Sequence, residues 1–163
     1  MLEHLNPSPV APKRVVVMGA AGFVGGAIAE RLARDRVPVL ALTRKEVELC
    51  APDADTRLAR LLQPEDAFVA VSARAPCKDT DMLLENIGMA RAMARALAQA
   101  PVGHVINISS DAVYADLPVP LTEDTPAAPT TLHGVMHLAR ELIFRFEVKA
   151  PLAILRPTLL FGP

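Results

Sequence analysis

Only two cysteines, one tyrosine and no tryptophan occur among the 163 residues. Cys50 and Cys77 form no CxxC pair and no Cys/His cluster, so neither a disulfide framework nor a zinc site is expected, and a reducing cytoplasm fits the usage. Aromatic residues make up 4% against 52% apolar overall, so the core is expected to rest on close-packed, alanine-rich helices rather than on large rings. A net charge of −1 lacks the basic footprint of a nucleic-acid binder and the polybasic patch of a membrane-surface protein. No stretch approaches the ~18 consecutive apolar residues of a membrane helix. Residues 1–12 lack the apolar segment of a signal peptide and contain Pro7, Pro9 and Pro12, so they read as a flexible arm ahead of a single domain over 13–163.

What the chain does have is alternation. Arg14–Met18 is a continuous apolar run of the kind buried on both faces of a parallel sheet. Further strands are expected at 37–42, weakly at 47–49, and at 67–71, 102–108 and 152–155. Helices fall between them. The first carries Val24, Ile28 and Leu32 on one face, a short one covers 55–62, and the longest covers 81–99 with Leu83, Ile87, Ala90, Ala94 and Leu97 in 4-3-4-3 spacing. A loop of prolines and capping residues fills 112–130, and the last helix covers 132–149. Strands alternating with helices predict an α/β fold, a Rossmann-type doubly wound parallel sheet with helices on both faces.

Between the first strand and first helix stands Gly19-Ala20-Ala21-Gly22-Phe23-Val24-Gly25. Small residues at such a junction let the backbone turn sharply and approach a pyrophosphate, while the helix start offers free N–H groups and its positive dipole end. A turn of this composition that binds nothing is the plainer alternative, but the strand–turn–helix context favours NAD(H) or NADP(H). The residue closing the second strand reads the adenosine ribose, and Thr43-Arg44-Lys45 offers cations where NAD-binding chains carry an acid; NADP is therefore slightly favoured.

Four segments together resemble one family: the glycine turn, Asn107–Tyr114, Leu121–Pro126, and Leu155-Arg156-Pro157 through Gly162-Pro163. They are similar to the extended short-chain dehydrogenase/reductases, the NAD-dependent epimerase/dehydratase group, which acts mostly on nucleotide sugars by hydride transfer between nicotinamide and a sugar carbon. The resemblance implies Gly19, Ala21, Gly22, Phe23, Val24, Gly25, Thr43, Arg44, Ser72, Ala73, His137 and Pro157 against the cofactor. It implies Ser110, Asp111 and Asn86 on the substrate side, with Ser110 in the place of the catalytic hydroxyl. Ser109 and Ser110 could equally be plain strand-end hydroxyls. Ala112 stands where the sugar dehydratases carry the second acid of a pair, which counts against that reaction.

The departure lies in the family's YxxxK, which reads His133-Gly134-Val135-Met136-His137 here. Three readings stay open. His133 could act as acid/base, since imidazole titrates near ~6.5 and needs no cation to help it. The pair could mark a catalytically silent NAD(P)-binding regulatory or scaffolding module. Or His133, His137 and Glu141, one turn apart, could hold a metal, although no HExxH pattern supports one. The two histidines lie opposite the apolar stripe Val135, Leu138, Leu142 and Phe146, so they are expected away from the core. Relatives usually continue into a smaller C-terminal lobe, so the resemblance also implies an exposed sheet edge and an uncovered cleft here. It implies a homodimer through helices 81–99 and 132–149, with the alanine-rich surface of the first allowing close approach.

Overall fold

Buried apolar strands flanked by amphipathic helices are what the structure, a computed structural model, shows; it describes residue 8, residues 10–118 and residues 120–162. Most of the arm expected over 1–12 lies outside those residues; Ser8 and Val10–Pro12 are in neither helix nor strand. The chain then runs β1 (Arg14–Met18), α1 (Phe23–Arg34), β2 (Val39–Leu42), α2 (Ala54–Ala59), β3 (Asp66–Ala70), α3 (Thr80–Gln99) and β4 (His104–Ile108). A 3₁₀ turn (Asp111–Val113), α4 (Leu132–Glu147) and β5 (Leu152–Leu155) complete it.

Among the described residues the strands form one parallel sheet in the order β2-β1-β3-β4-β5. A right-handed crossover from β1 outward to β2 puts α1 on one face. Every later crossover runs the opposite way and puts its helix on the other face. The two faces are therefore covered unequally. Val16, Met18, Phe68, Ala70 and Val105 pack under α2, α3 and α4, in a cluster with Leu58, Met89, Met93, Leu97 and Phe144. Val15, Val17 and Val69 form a smaller cluster with Ile28 and Leu32 of α1, Ala20 of the turn after β1, and residues in or beside the neighbouring strands. Phe68 is fully buried, so truncating it to alanine would cost about 3–5 kcal/mol. Among the described residues β5 pairs with β4 alone and stands at one edge of the sheet. At the sheet's far end from the strand C-termini, Arg14 and Asp66 are register partners of β1 and β3. The Arg14 Nε and Nη2 donate to the Asp66 carboxylate at 2.8 and 2.6 Å, a forked bond that fixes the pairing.

Two expectations are corrected. Val47–Leu49 is not a strand: Thr43 and Glu46 close a turn there, with Glu46 accepting from the Thr43 N–H at 2.8 Å and hydroxyl at 2.7 Å. Val47 and Leu49 are buried in the main core without strand pairing. And most alanines of α3 point inward, with Ala90, Ala94 and Ala96 fully buried, so its outer surface is not the alanine-rich one anticipated. The mechanism is simple: small side chains let α3 sit close to both the sheet and α4, and that demand outranks the solvent face.

Candidate functional site

The strand order reverses between β1 and β3, and in open parallel sheets ligands bind in the crevice beyond the strand C-termini at that point. A cavity of about 750 Å³ opens there. Its lining brings together Gly19, Ala21, Gly22, Phe23, Val24 and Gly25 from the turn, Thr43 and Arg44 after β2, and Ser72 and Ala73 after β3. It also includes Ser110 after β4, His133 and His137 on α4, and Pro157 after β5. Residues 90 and more positions apart in sequence thus share one hollow.

The glycine end is built from bare backbone. Gly19 has φ +110°, and a methyl on it would come within 2.7 Å of the Ser72 backbone nitrogen, so both conformation and space require glycine. A methyl on Gly25 would overlap the Gly19 carbonyl, whereas one on Gly26 would meet nothing closer than 3.5 Å; close packing therefore falls on Gly25 alone. The start of α1 has no side-chain cap and no acid in its first turn. By contrast, Asp79 caps α3 through the Met82 N–H, and Thr131 caps α4 through the Gly134 N–H. An uncapped helix start facing a cavity leaves donors and the positive dipole end for an anion, which fits the pyrophosphate of a dinucleotide.

The other end is built from side chains. Ser110 caps the 3₁₀ turn, accepting from the Ala112 N–H at 3.1 Å, and its hydroxyl donates to Asp111 Oδ1 at 3.1 Å. His133 Nδ1 accepts the Cys77 backbone N–H at 3.3 Å, and the His133 and His137 rings meet edge to face with centroids 4.7 Å apart. Burial holds the His133 ring below its ordinary pKa, against the pull of Asp111. His137 is pushed down to about 4, chiefly by burial and then by the neighbouring His133 and Arg140 charges. Both rings are accordingly neutral at pH 7.

The structure overturns the expected orientation of α4. Val135, Leu142 and Phe146 are the exposed side, while His137, Arg140 and Glu141 are buried with Met136 and Phe144. The reason lies at the end of β4: the buried residues Val105 and Asn107 of the strand and Ser109 just beyond it turn polar along the chain, and α4 answers with its polar face. Glu141 Oε1 accepts from Ser109 Oγ at 2.6 Å and Arg156 Nε at 2.9 Å, and Oε2 accepts from Arg156 Nη2 at 2.6 Å. Arg156 also donates to the Tyr114 hydroxyl at 2.8 Å and stacks on its ring at 4.9 Å. Glu141 is thus fully engaged away from the cavity, and with it goes the arrangement of His133, His137 and Glu141 around a metal.

Two expected site residues lie elsewhere. Asp111 lines a second hollow along β5 and adjoins the main cavity through Ser110 and Pro157. Asn86 is fully buried and holds the post-β3 segment from behind: Oδ1 accepts the Arg74 N–H at 2.9 Å and Nδ2 donates to the Arg74 carbonyl at 3.0 Å. Sequence reasoning passed over Gly134, whose missing side chain lets the start of α4 abut the Ala112 carbonyl of the 3₁₀ turn. A glycine inside the first turn of a helix was the available signal. It also gave no role to Arg140, fully buried, with a pKa lowered to about 10 by burial and a single bond of 3.4 Å to the Asn86 carbonyl.

A parallel sheet with a glycine turn at its switch point defines a Rossmann-type nucleotide-binding domain. Residues 15–163 match the model of the NAD dependent epimerase/dehydratase family, and the chain belongs to that family. It is 28% identical over 145 residues to a dTDP-6-deoxy-L-talose 4-dehydrogenase (NAD(P)(+)) from Kitasatospora kifunensis, covering 79% of this chain and 46% of that one. It superposes on a GDP-L-fucose synthetase from Naegleria fowleri with a TM-score of 0.79 at 18% identity, over 97% of this chain and 54% of the other. A dTDP-4-dehydrorhamnose reductase from Bacillus anthracis, solved in complex with NADP, gives 0.76 at 21% identity, over 93% and 55%. The chain therefore spans about half the length of these relatives. Among the described residues no helix is long and apolar enough to cross a membrane.

Proposed function

We propose that this chain is the NAD(P)(H)-binding half of a cytoplasmic oxidoreductase or epimerase acting on a nucleotide sugar. The observation that carries the reading is the shared cavity: an uncapped helix start over a glycine turn at one end, and Ser110 with His133 at the other. Gly19, Gly22 and Gly25 would seat the pyrophosphate, Ser72 and Ala73 would lie along the dinucleotide, and His137 and Pro157 would approach its nicotinamide end. When bound, the dinucleotide supplies or accepts a hydride. Ser110 and His133 would contact the sugar oxygen whose hydrogen count changes.

NADP(H) is the preferred partner in this reading. Glu46, the one carboxylate in the turn after β2, is taken by Thr43, and its pKa is lowered chiefly by that side-chain bond. Arg44, 3.9 Å from the Glu48 carboxylate, and Lys45 stand at the cavity wall and suit a 2′-phosphate. Isothermal titration with NADP⁺, NADPH, NAD⁺ and NADH tests the reading. Arg44→Ala is expected to weaken NADP⁺ about 10-fold and to leave NAD⁺ nearly unchanged. Absence of heat with all four nucleotides would end it.

A homodimer through α3 and α4 belongs to the same proposal. Its support is the exposed apolar row Leu84, Val135, Leu142 and Phe146 on these two packed helices. The second reading, a silent NAD(P)-binding module, draws on the neutral pair of half-buried His133 and buried His137, standing where the resemblance implies Tyr and Lys. NADPH oxidation with dTDP- or UDP-linked keto-sugars, lost in Ser110→Ala, supports the enzyme; nucleotide binding without turnover across that panel supports the module.

A further inference from the structure

We propose that His133 serves the cleft as a neutral hydrogen-bond donor, its proton fixed on Nε2 by the Cys77 backbone, and that it does not hand a proton to or take one from a ligand. The ligand side of this statement rests on reading the cavity as a dinucleotide and sugar site.

A backbone N–H can only donate, so the atom it meets must present a lone pair. Here that atom is Nδ1, 3.3 Å from the Cys77 nitrogen, and Cys77 itself is buried, which holds the donor in place. A neutral imidazole has one N–H, so the proton sits on Nε2. Each way of moving a proton then meets an obstacle. The lone pair that a general base needs is the one already engaged by Cys77. The Nε2–H of a neutral ring can be offered to an oxygen but not surrendered near pH 7. Charging the ring by adding a proton at Nδ1 would set one N–H against another and forfeit the bond.

A carboxylate against the ring could offset that cost, and the surroundings supply none. On α4 itself, Glu141 is committed to Ser109 and Arg156, and the other neighbour is the His137 ring. From the 3₁₀ turn, Asp111 favours the charged ring at a distance but accepts the Ser110 hydroxyl. From the start of α3, Asp79 caps the Met82 N–H and Glu85 is paired with Arg74. Burial, the largest influence on the ring, works in the same direction as the Cys77 bond. The cavity therefore presents the N–H of His133 as a neutral donor that can orient and polarise a ligand oxygen, while the one proton of the neighbouring Ser110 hydroxyl is given to Asp111. This separates the chain from a site built on a phenol and an ammonium.

Long-range ¹H–¹⁵N correlation spectra of the uniformly labelled chain read the protonation of each imidazole nitrogen, with His133→Gln assigning the signals. At pH 7 His133 is expected to show an unprotonated Nδ1 and a protonated Nε2, a titration midpoint below that of free imidazole, and the same tautomer after saturation with NADP⁺. An Nδ1–H tautomer, an exchange average of the two tautomers, or an imidazolium at pH 7 would overturn the proposal. Calorimetry with NADP⁺ on the same sample separates the two questions: no heat would remove the dinucleotide reading and leave the tautomer answered.

Discussion

The two ends of the cavity are made by opposite means. At the glycine end, side chains are withheld: Gly19 and Gly25 keep the turn bare and α1 begins without a cap. At the α4 end, side chains are crowded and mutually committed, with buried Glu141 and Ser109 and half-buried Arg156 and Tyr114 joined in one network. The first design binds by exposing backbone, which serves any chain that must seat a diphosphate. The second fixes particular side chains and so can differ from one relative to the next. That is where this chain carries two histidines.

The difference can be tested by breaking each end in turn. Glu141→Ala should have the largest effect, because it strands the Arg156 charge and the Ser109 hydroxyl in a buried place. A loss of about 3–5 kcal/mol in urea melts is expected, with NADP⁺ affinity falling only as far as the folded fraction does. Gly25→Ala should cost about 3 kcal/mol, since backbone rather than a flexible side chain occupies the space, and here nucleotide binding should vanish even in the folded population.

A pH series addresses the α4 end without mutation. His137 titrates at about 4 in the folded chain and near its ordinary 6.5 when unfolded, so between these values the unfolded state holds the extra proton. Stability should therefore fall as pH drops through that window, by up to about 1.4 kcal/mol per unit from this one group, and His137→Gln should flatten the slope. Acid melts of parent and variant that superpose would remove the assignment. The smallest effect is reserved for Gly26→Ala, where a methyl finds room in a helix: thermal melts should show no loss and a gain of up to about 1 kcal/mol.

Much of the fold was legible because its signals are local. Arg14–Met18 and Leu152–Leu155 were placed with their observed bounds, and the glycine turn was recognised from its position between strand and helix. The misreadings share a cause. Val47–Leu49 has strand-like residues but no partner strand, and pairing is a property of the sheet rather than of the segment. For α4, the sequence presents an apolar stripe that the usual rule for a helix on a sheet would turn inward. What decides its orientation is the polar pair of Asn107 in β4 and Ser109 just beyond it, with Ser109 bonded to Glu141 32 residues further along the chain, so the polar face turns inward. The site residues of the glycine end needed only sequence; those of the α4 end needed to know what lies underneath.

The sharing of one carboxylate by three donors has a mechanical consequence. Glu141 ties the end of β4 through Ser109 to the segment after β5 through Arg156, and Tyr114 extends the tie to the Thr122 carbonyl at 3.4 Å. None of these pieces can swing outward alone without stranding a charge. One wall of the cleft should therefore open and close as a single plate, and amide exchange along it should proceed in unison rather than residue by residue.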